Sequence, residues 1–203
     1  LGGSAHITPP DNISGLAKTL IGFINDIGIN KFSILGHSLG SETALQLAID
    51  FPERVENLIL YGGCAGDLPE RFESYQDSIR RIDEEGILHT AARIAATWTR
   101  AGKNHPLYEM MRACGVASSH VGSQKLIKAM SKFDVRHRLK EVKARTLVIC
   151  GDEDKTTHPR HSIELWENIP RAQLCILPNS AHAAHVEVPS VFNQIVTRFL
   201  LGG

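Results

Sequence analysis

The chain has 203 residues, 42% of them hydrophobic and 22% charged, which suits one folded domain with a sizeable core. Lysine plus arginine and aspartate plus glutamate number 22 each, so no net basic charge points to nucleic acid or an anionic membrane as a partner. No apolar run approaches the roughly 20 residues needed to cross a bilayer, so no membrane partner is expected.

The predicted elements begin with a helix over residues 13–28, which repeats apolar residues at helical spacing. The face expected to be buried carries Leu16, Leu20, Phe23, Ile24 and Ile27. Four short, nearly continuous apolar runs then predict strands at residues 31–36, 56–63, 145–150 and 172–177.

Helical patterns at residues 39–50, 162–168 and 190–200 alternate with these strands. Strands that are apolar on both sides are typical of parallel sheets covered by helices on both faces. The alternation therefore predicts an α/β fold with right-handed crossovers.

The segment from residue 66 to residue 140 interrupts this alternation. It contains about four helical patterns and no convincing strand, and one of its apolar stripes joins Phe72, Tyr75, Ile79 and Ile82. We therefore expect a core made of residues 1–65 and 141–203, with residues 66–140 inserted as a helical cap.

The motif Gly-His-Ser-Leu-Gly lies where the first predicted strand meets the second predicted helix. In that context Ser38 is expected to sit on a strained turn at the edge of the sheet, where the amide of Leu39 can act as an oxyanion donor. We expect Gly36 and Gly40 to be required as glycines, because a residue without a Cβ lets strand and helix approach closely. The alternative is an ordinary glycine-flanked turn with a solvent-facing serine.

A nucleophilic serine needs a base and a group that orients the base. Two later loops, each at the end of a predicted strand, offer these groups: Asp152 and Asp154 in the first, His182 and His185 in the second. The chain order Ser, Asp, His is the order of α/β-hydrolases.

The stretches GHSLG, LVICGDEDKTTHP and SAHAAHVEVPSVFNQIVTRFL resemble the α/β-hydrolase superfamily, and the resemblance covers nearly the whole chain. It implies Asp154 as the catalytic acid, with Asp152 a turn residue. It implies His182, which Glu187 and Pro189 follow, as the catalytic base, with His185 a loop or lid contact.

The cap and the region after it look most like the 3-oxoadipate enol-lactonases. This second resemblance implies that Trp98 lines the substrate pocket, although a tryptophan on an apolar stripe is more often a core residue. His37 is a further candidate for substrate binding, with an ordinary loop histidine as the alternative. Four cap arginines could meet a substrate carboxylate or lie on a solvated face: Arg80, Arg81, Arg93 and Arg100.

The family's first strands, and the loop that gives its second oxyanion donor, have no counterpart in this sequence. Residues 31–36 are therefore expected to form an open apolar edge, which is a template for aggregation. We expect the chain to be a fragment of a longer protein, to form a homo-oligomer, or to bind a second chain that completes the sheet.

The cysteines and histidines indicate no cofactor. The four cysteines have no C-x-x-C spacing, and no cluster of histidine, cysteine and carboxylate has the spacing of a metal site. No glycine-rich phosphate-binding motif occurs. Cys150 and Cys175 lie in predicted strands, as small buried hydrophobes do, which favours a reducing, cytoplasmic location.

The leading interpretation is a serine hydrolase that cleaves a small-molecule ester or lactone through an acyl-Ser38 intermediate. A C–C bond hydrolase or a perhydrolase would use the same three residues. A ligand-binding member of the fold without catalysis is the alternative from another class.

Overall fold

The computed structural model describes residues 2–66, residue 69 and residues 73–202. Four strands form one sheet in the order β1-β2-β3-β4, and every neighbouring pair is parallel. The strands are β1 (Phe32–His37), β2 (Val55–Tyr61), β3 (Arg145–Gly151) and β4 (Gln173–Leu177). The predicted α/β fold with a parallel sheet is confirmed.

Eight α-helices connect and cover these strands in the described part of the chain. They are α1 (Ile13–Asp26), α2 (Leu39–Asp50), α3 (Tyr75–Ala95), α4 (Tyr108–Val116), α5 (His120–Met130), α6 (Pro159–Asn168), α7 (Ala184–Glu187) and α8 (Pro189–Leu200). Gly86, with a φ of 77°, kinks α3 into two helical pieces. Helices α3 to α5 lie within residues 66–140, whose assignment as a cap stays a prediction, and Phe72 lies outside the described residues.

Successive residues of a strand point to opposite sides of the sheet, and on both sides the two central strands, β2 and β3, are mostly buried. On one face Leu58 and Leu60 of β2 pack in a cluster with residues of α1, α2 and α6. On the other face Ile59 and Tyr61 pack with Phe192 and Phe199 of α8. Helices therefore cover both faces, as the continuous apolar strands predicted.

The buried face of α1 differs from the predicted one. Phe23 and Ile27 are 58% and 51% exposed, whereas the buried residues of α1 are Ile13, Ala17, Ile21 and Ile24. At about 100° per residue, the mean direction of the buried residues is rotated by roughly 70° from that of the predicted face, and Ile24 belongs to both sets. Leu16 and Leu20 of the predicted face are partly buried against the cluster shared with α2, so the prediction is wrong for Phe23 and Ile27.

Strand β1 lies at one edge of the sheet formed by the described residues, with β2 on its other side. Leu35 on this strand is 42% exposed. None of the four cysteines, all of which lie in the described part of the chain, forms a disulfide bond. Within the described ranges, no helix combines the length and apolar character that a membrane span requires.

Candidate active site

The three residues predicted to act together each follow a strand. Ser38 comes directly after β1, Asp154 follows β3, and His182 follows β4. Because the strands are parallel, their carboxyl ends meet at one edge of the sheet, where sites in open α/β sheets are built. The topology therefore brings three distant parts of the sequence to the same edge.

Ser38 has the strained backbone that its motif predicts. Its φ and ψ are 55° and −122°, a region that costs a non-glycine residue about 1–3 kcal/mol. The N–H of Ser38 donates to the carbonyl of Tyr61 at 2.9 Å, and its own carbonyl accepts from the N–H of Ser41 at 2.7 Å. The turn is thus held from the neighbouring strand and from the first turn of α2.

Only one of the two motif glycines is required by close packing. A Cβ on Gly36 would lie 2.7 Å from the Cα of Ser41 and closer still to the carbonyl oxygen of Gly40. A Cβ on Gly40 would meet nothing within 4 Å. The expectation that both positions exclude a side chain is therefore right for Gly36 and wrong for Gly40, because the strand passes over the backbone of Gly40 and not over its missing side chain.

Asp154 is the acidic residue that contacts His182. Its Oδ2 accepts a hydrogen bond from Nδ1 of His182 at 2.8 Å, and both side chains are almost fully buried. Its other oxygen, Oδ1, accepts from the backbone N–H groups of Thr156 at 2.8 Å and Thr157 at 2.9 Å. These bonds fix the carboxylate on both sides, and they leave Nε2 of the imidazole as its free nitrogen.

Asp152 makes a different contact. This exposed residue accepts from the N–H of Ser180 at 3.1 Å, which ties the loop after β3 to the loop after β4. Burial acts to raise the pKa of Asp152, but the N–H groups of Ser180 and Asn179 outweigh that effect and hold the pKa below its usual value. This contact joins residues 28 positions apart in the sequence and is not the local turn bond that was predicted for Asp152.

The backbone carbonyl of His182 accepts two hydrogen bonds from the two neighbouring strands. Nε2 of His37 donates to it at 2.9 Å, and the hydroxyl of Tyr61 donates at 2.8 Å. The rings of His37 and Tyr61 stack with centroids 4.3 Å apart. His37 therefore links the residue next to Ser38 directly to the loop that carries His182.

His37 and Tyr61 both keep the proton that they donate to the carbonyl of His182. Burial, with a smaller contribution from His182, lowers the pKa of His37 to about 3, so its ring is neutral and Nε2 carries the single proton. Burial also raises the pKa of Tyr61, so its hydroxyl stays a donor. His185 is exposed, with its Nδ1 3.1 Å from the Tyr61 hydroxyl, and burial followed by the charge of His182 lowers its pKa.

A cavity of about 400 Å³ lies over Ser38 and Leu39. Trp98 lines it, and so do side chains of α3, α4 and α5; the part of Trp98 in substrate binding stays a prediction. His37 is not among its lining residues, so its part in substrate binding stays a prediction. The N–H of Leu39 belongs to the first turn of α2, where amides have no partner within the helix, as an oxyanion donor requires.

Among the residues that the structure describes, no group of three or more histidine, cysteine or carboxylate side chains is placed to hold a metal ion.

The family model described as alpha/beta hydrolase fold matches residues 20–189. The chain belongs to the α/β-hydrolase family. It is a hydrolase.

This α/β-hydrolase is similar to enzymes of several named activities. It is 29% identical over 206 residues to the 2-hydroxy-6-oxononadienedioate/2-hydroxy-6-oxononatrienedioate hydrolase of Comamonas testosteroni, an alignment that covers 92% of this chain and 68% of the relative. It is 28% identical over 200 residues to 3-oxoadipate enol-lactonase 2 of Acinetobacter baylyi, covering 96% and 74%. A solved hydrolase from Pseudomonas aeruginosa PA01 superposes with a TM-score of 0.86 at 26% identity, covering 97% and 74%.

In this α/β-hydrolase, the loop of His182 is also attached to the segment after α3. The N–H of Ala183 donates to the carbonyl of Trp98 at 2.7 Å. The carboxylate of Glu187 accepts from the N–H of Arg100 at 2.8 Å and from the N–H of Ala181 at 2.7 Å. In the sequence, Glu187 is recognisable only as part of the family pattern, because a carboxylate that accepts hydrogen bonds from amides in two different segments leaves no local pattern.

Tyr61 was missed for a similar reason. It is the last residue of β2, and its aromatic ring in a buried strand is typical of an ordinary core residue. The only available signal was the position, because the end of a parallel strand next to the strand of Ser38 must lie near the site.

Proposed function

We propose that this chain is a serine hydrolase that cleaves a small ester or lactone through an acyl-Ser38 intermediate. The observation that carries the proposal is the buried 2.8 Å bond between His182 and Asp154, at the same sheet edge as the strained Ser38. The similarity to an enol-lactonase supports the choice of ester and lactone substrates.

The proposed reaction uses each of these groups in turn. Nε2 of His182 takes the proton of the Ser38 hydroxyl while Oγ bonds to the acyl carbon, and the N–H of Leu39 stabilises the resulting oxyanion. The protonated imidazole then gives its proton to the leaving oxygen, so that the acyl enzyme forms. Water, deprotonated by the same nitrogen, then attacks the acyl carbon. The imidazole returns this proton to Oγ of Ser38 as the bond between Oγ and the acyl carbon breaks, which releases the carboxylic acid and restores Ser38.

A second candidate is the cleavage of a C–C bond with the same residues. It is favoured by the similarity to the Comamonas testosteroni enzyme, which is named as a nonadienedioate hydrolase. The serine, histidine and acid would be unchanged, so the two candidates differ in the bond that is broken and not in the residues used.

Labelling with a fluorophosphonate probe tests the proposal. We expect stoichiometric labelling of Ser38, together with a burst of p-nitrophenol from a p-nitrophenyl ester, and neither in the Ser38→Ala variant. His185→Ala should keep more than a tenth of the activity, whereas His182→Ala should lose nearly all of it. Absence of both labelling and burst in the unmodified protein would refute the serine mechanism and favour a ligand-binding role.

A further inference from the structure

The wall of the cavity over Ser38 is apolar. No lysine, arginine, histidine or carboxylate is among the described residues that line it. Large apolar side chains that line it include those of Ile82, Ile87, Ile94, Trp98, Leu126 and Met130. Its volume is about 400 Å³.

Besides Ser38, five residues of this wall carry a hydroxyl group, and the protein engages three of these groups. The Thr90 hydroxyl donates to the carbonyl of Arg81 at 3.4 Å. The Ser78 hydroxyl donates to Glu73 at 2.6 Å, and the Thr156 hydroxyl lies 3.2 Å from the Thr97 hydroxyl. Their contacts within the protein reduce the polar groups that remain for a ligand. The cavity is thus suited to hydrocarbon rather than to a charged group.

Two of the four cap arginines, Arg81 and Arg93, are paired with carboxylates. Arg81 and Arg93 both contact Oε1 of Glu73 at 2.8 Å, and the Glu73 side chain is only 7% exposed. Glu85 also pairs with Arg81 at 2.5 Å, so two positive and two negative charges balance. None of the four side chains is among the residues that line the cavity.

The other two cap arginines, Arg80 and Arg100, also pair with carboxylates. Arg80 pairs with Asp77 at 2.7 Å and Arg100 with Glu153 at 2.7 Å, and both arginine side chains are well exposed. Neither is among the lining residues. Arg71 lies outside the described residues.

We propose that the part of the substrate bound in this cavity is uncharged and largely hydrocarbon, so that neutral aliphatic or aromatic esters and lactones are preferred over those that carry a carboxylate there. A buried carboxylate loses its hydration, and the described residues that line this cavity offer no cation to compensate. The substrate class rests on the proposed function, whereas the chemistry of the cavity can be measured by binding alone.

Matched esters test the preference during turnover. The three substrates are p-nitrophenyl hexanoate, the mono-p-nitrophenyl ester of adipic acid, and the methyl ester of that second compound, which removes its charge at nearly constant length. We expect kcat/KM for both neutral esters to exceed that of the charged ester at least 100-fold at pH 7.5. Equal or faster turnover of the charged ester would overturn the proposal.

Binding to an inactive protein separates this proposal from the proposed function. In Ser38→Ala combined with Trp166→Phe, Trp98 is the single remaining tryptophan of the two in the chain, and its fluorescence reports on the cavity. We expect methyl hexanoate to bind at least tenfold more tightly than monomethyl adipate. If turnover is absent but this preference holds, the hydrolase mechanism is refuted and the cavity chemistry is supported; if monomethyl adipate binds as tightly, the cavity chemistry is refuted whatever the turnover.

Arg93 provides the sharpest single variant. Its Nη2 is buried and has no hydrogen-bond partner among the described residues, so it is the group that a substrate carboxylate would recruit if the proposal were wrong. We expect Arg93→Gln to leave the ratio of the two affinities within twofold of its parent value. A tenfold or greater loss of monomethyl adipate affinity, restored in Arg93→Lys, would show that Arg93 binds the carboxylate and would overturn the proposal.

Discussion

Exchanging the two motif glycines for alanine one at a time tests how the turn at Ser38 is built. In Gly36→Ala, the new Cβ lies 2.7 Å from the Cα of Ser41, where ordinary contacts are about 3.4–4 Å, and the other atoms it meets are backbone atoms of Gly40. Strand and helix must therefore separate by roughly 1 Å, because no flexible side chain can move aside.

The expected cost follows from this displacement. Overpacking of this kind typically costs about 1–3 kcal/mol, which for a chain of this size lowers Tm by roughly 2–12 °C. A shift of about 1 Å in a reacting group costs on the order of 100-fold in rate, so kcat/KM should fall about that much. The matched control is Gly40→Ala, where the new Cβ has no neighbour within 4 Å and replaces glycine in α2. It should raise stability by about 0.5–1 kcal/mol.

The assay is kcat/KM for p-nitrophenyl acetate beside thermal melting, on both variants and the parent. We expect Gly36→Ala to be slow and less stable, and Gly40→Ala to keep activity within about threefold of the parent. Equal damage at both positions, or an unimpaired Gly36→Ala, would refute the argument that the approach of β1 to α2 is what requires the glycine.

Three further outcomes are expected. Ser38→Gly and Ser38→Ala should both be inactive, but Ser38→Gly should be more stable by about 1–3 kcal/mol in chemical denaturation, because only glycine relaxes the positive φ of 55°. Asp154→Asn should reduce kcat on the order of 1,000-fold or more and Asp152→Asn less than tenfold, since only Asp154 contacts His182; the reverse ranking in steady-state assays would show the acid to be misassigned. Because the pKa of His37 is lowered to about 3, the folded chain binds fewer protons than the unfolded chain between about pH 6.5 and pH 3. The stability of the parent should therefore fall on acidification in this range by up to about 1.4 kcal/mol per pH unit. Chemical denaturation of His37→Gln between pH 7 and pH 5 should show a shallower dependence of stability on pH, and equal slopes for variant and parent would contradict the assignment.

The sheet and the place of the site could be predicted from the sequence because both depend on local patterns. A continuous apolar run of about six residues that ends at a glycine or a proline favours a strand of a covered parallel sheet, and the predicted strands agree with the observed ones to within one or two residues. Helix α2 has its predicted bounds, Leu39–Asp50. The motif around Ser38 also carries its own geometry, because the strained turn is a property of adjacent residues.

The tertiary structure decided which of several equivalent candidates makes each contact. Apolar residues extend around much of α1, and only its packing against neighbouring elements shows that Ala17 is buried while Phe23 and Ile27 are exposed. Asp152 and Asp154 are two residues apart in one loop, yet only the fold shows which carboxylate reaches His182.

Polar contacts between residues far apart in the sequence could likewise not be predicted from it. The two donors on the carbonyl of His182 come from residues 145 and 121 positions away, and neither His37 nor Tyr61 has a local pattern that announces this contact. The charge environment of the cavity depends in the same way on where the carboxylate of Glu73 lies relative to Arg81 and Arg93. Periodicity determines which residues share a face of one element, whereas the meeting of side chains from different elements is set by how those elements pack.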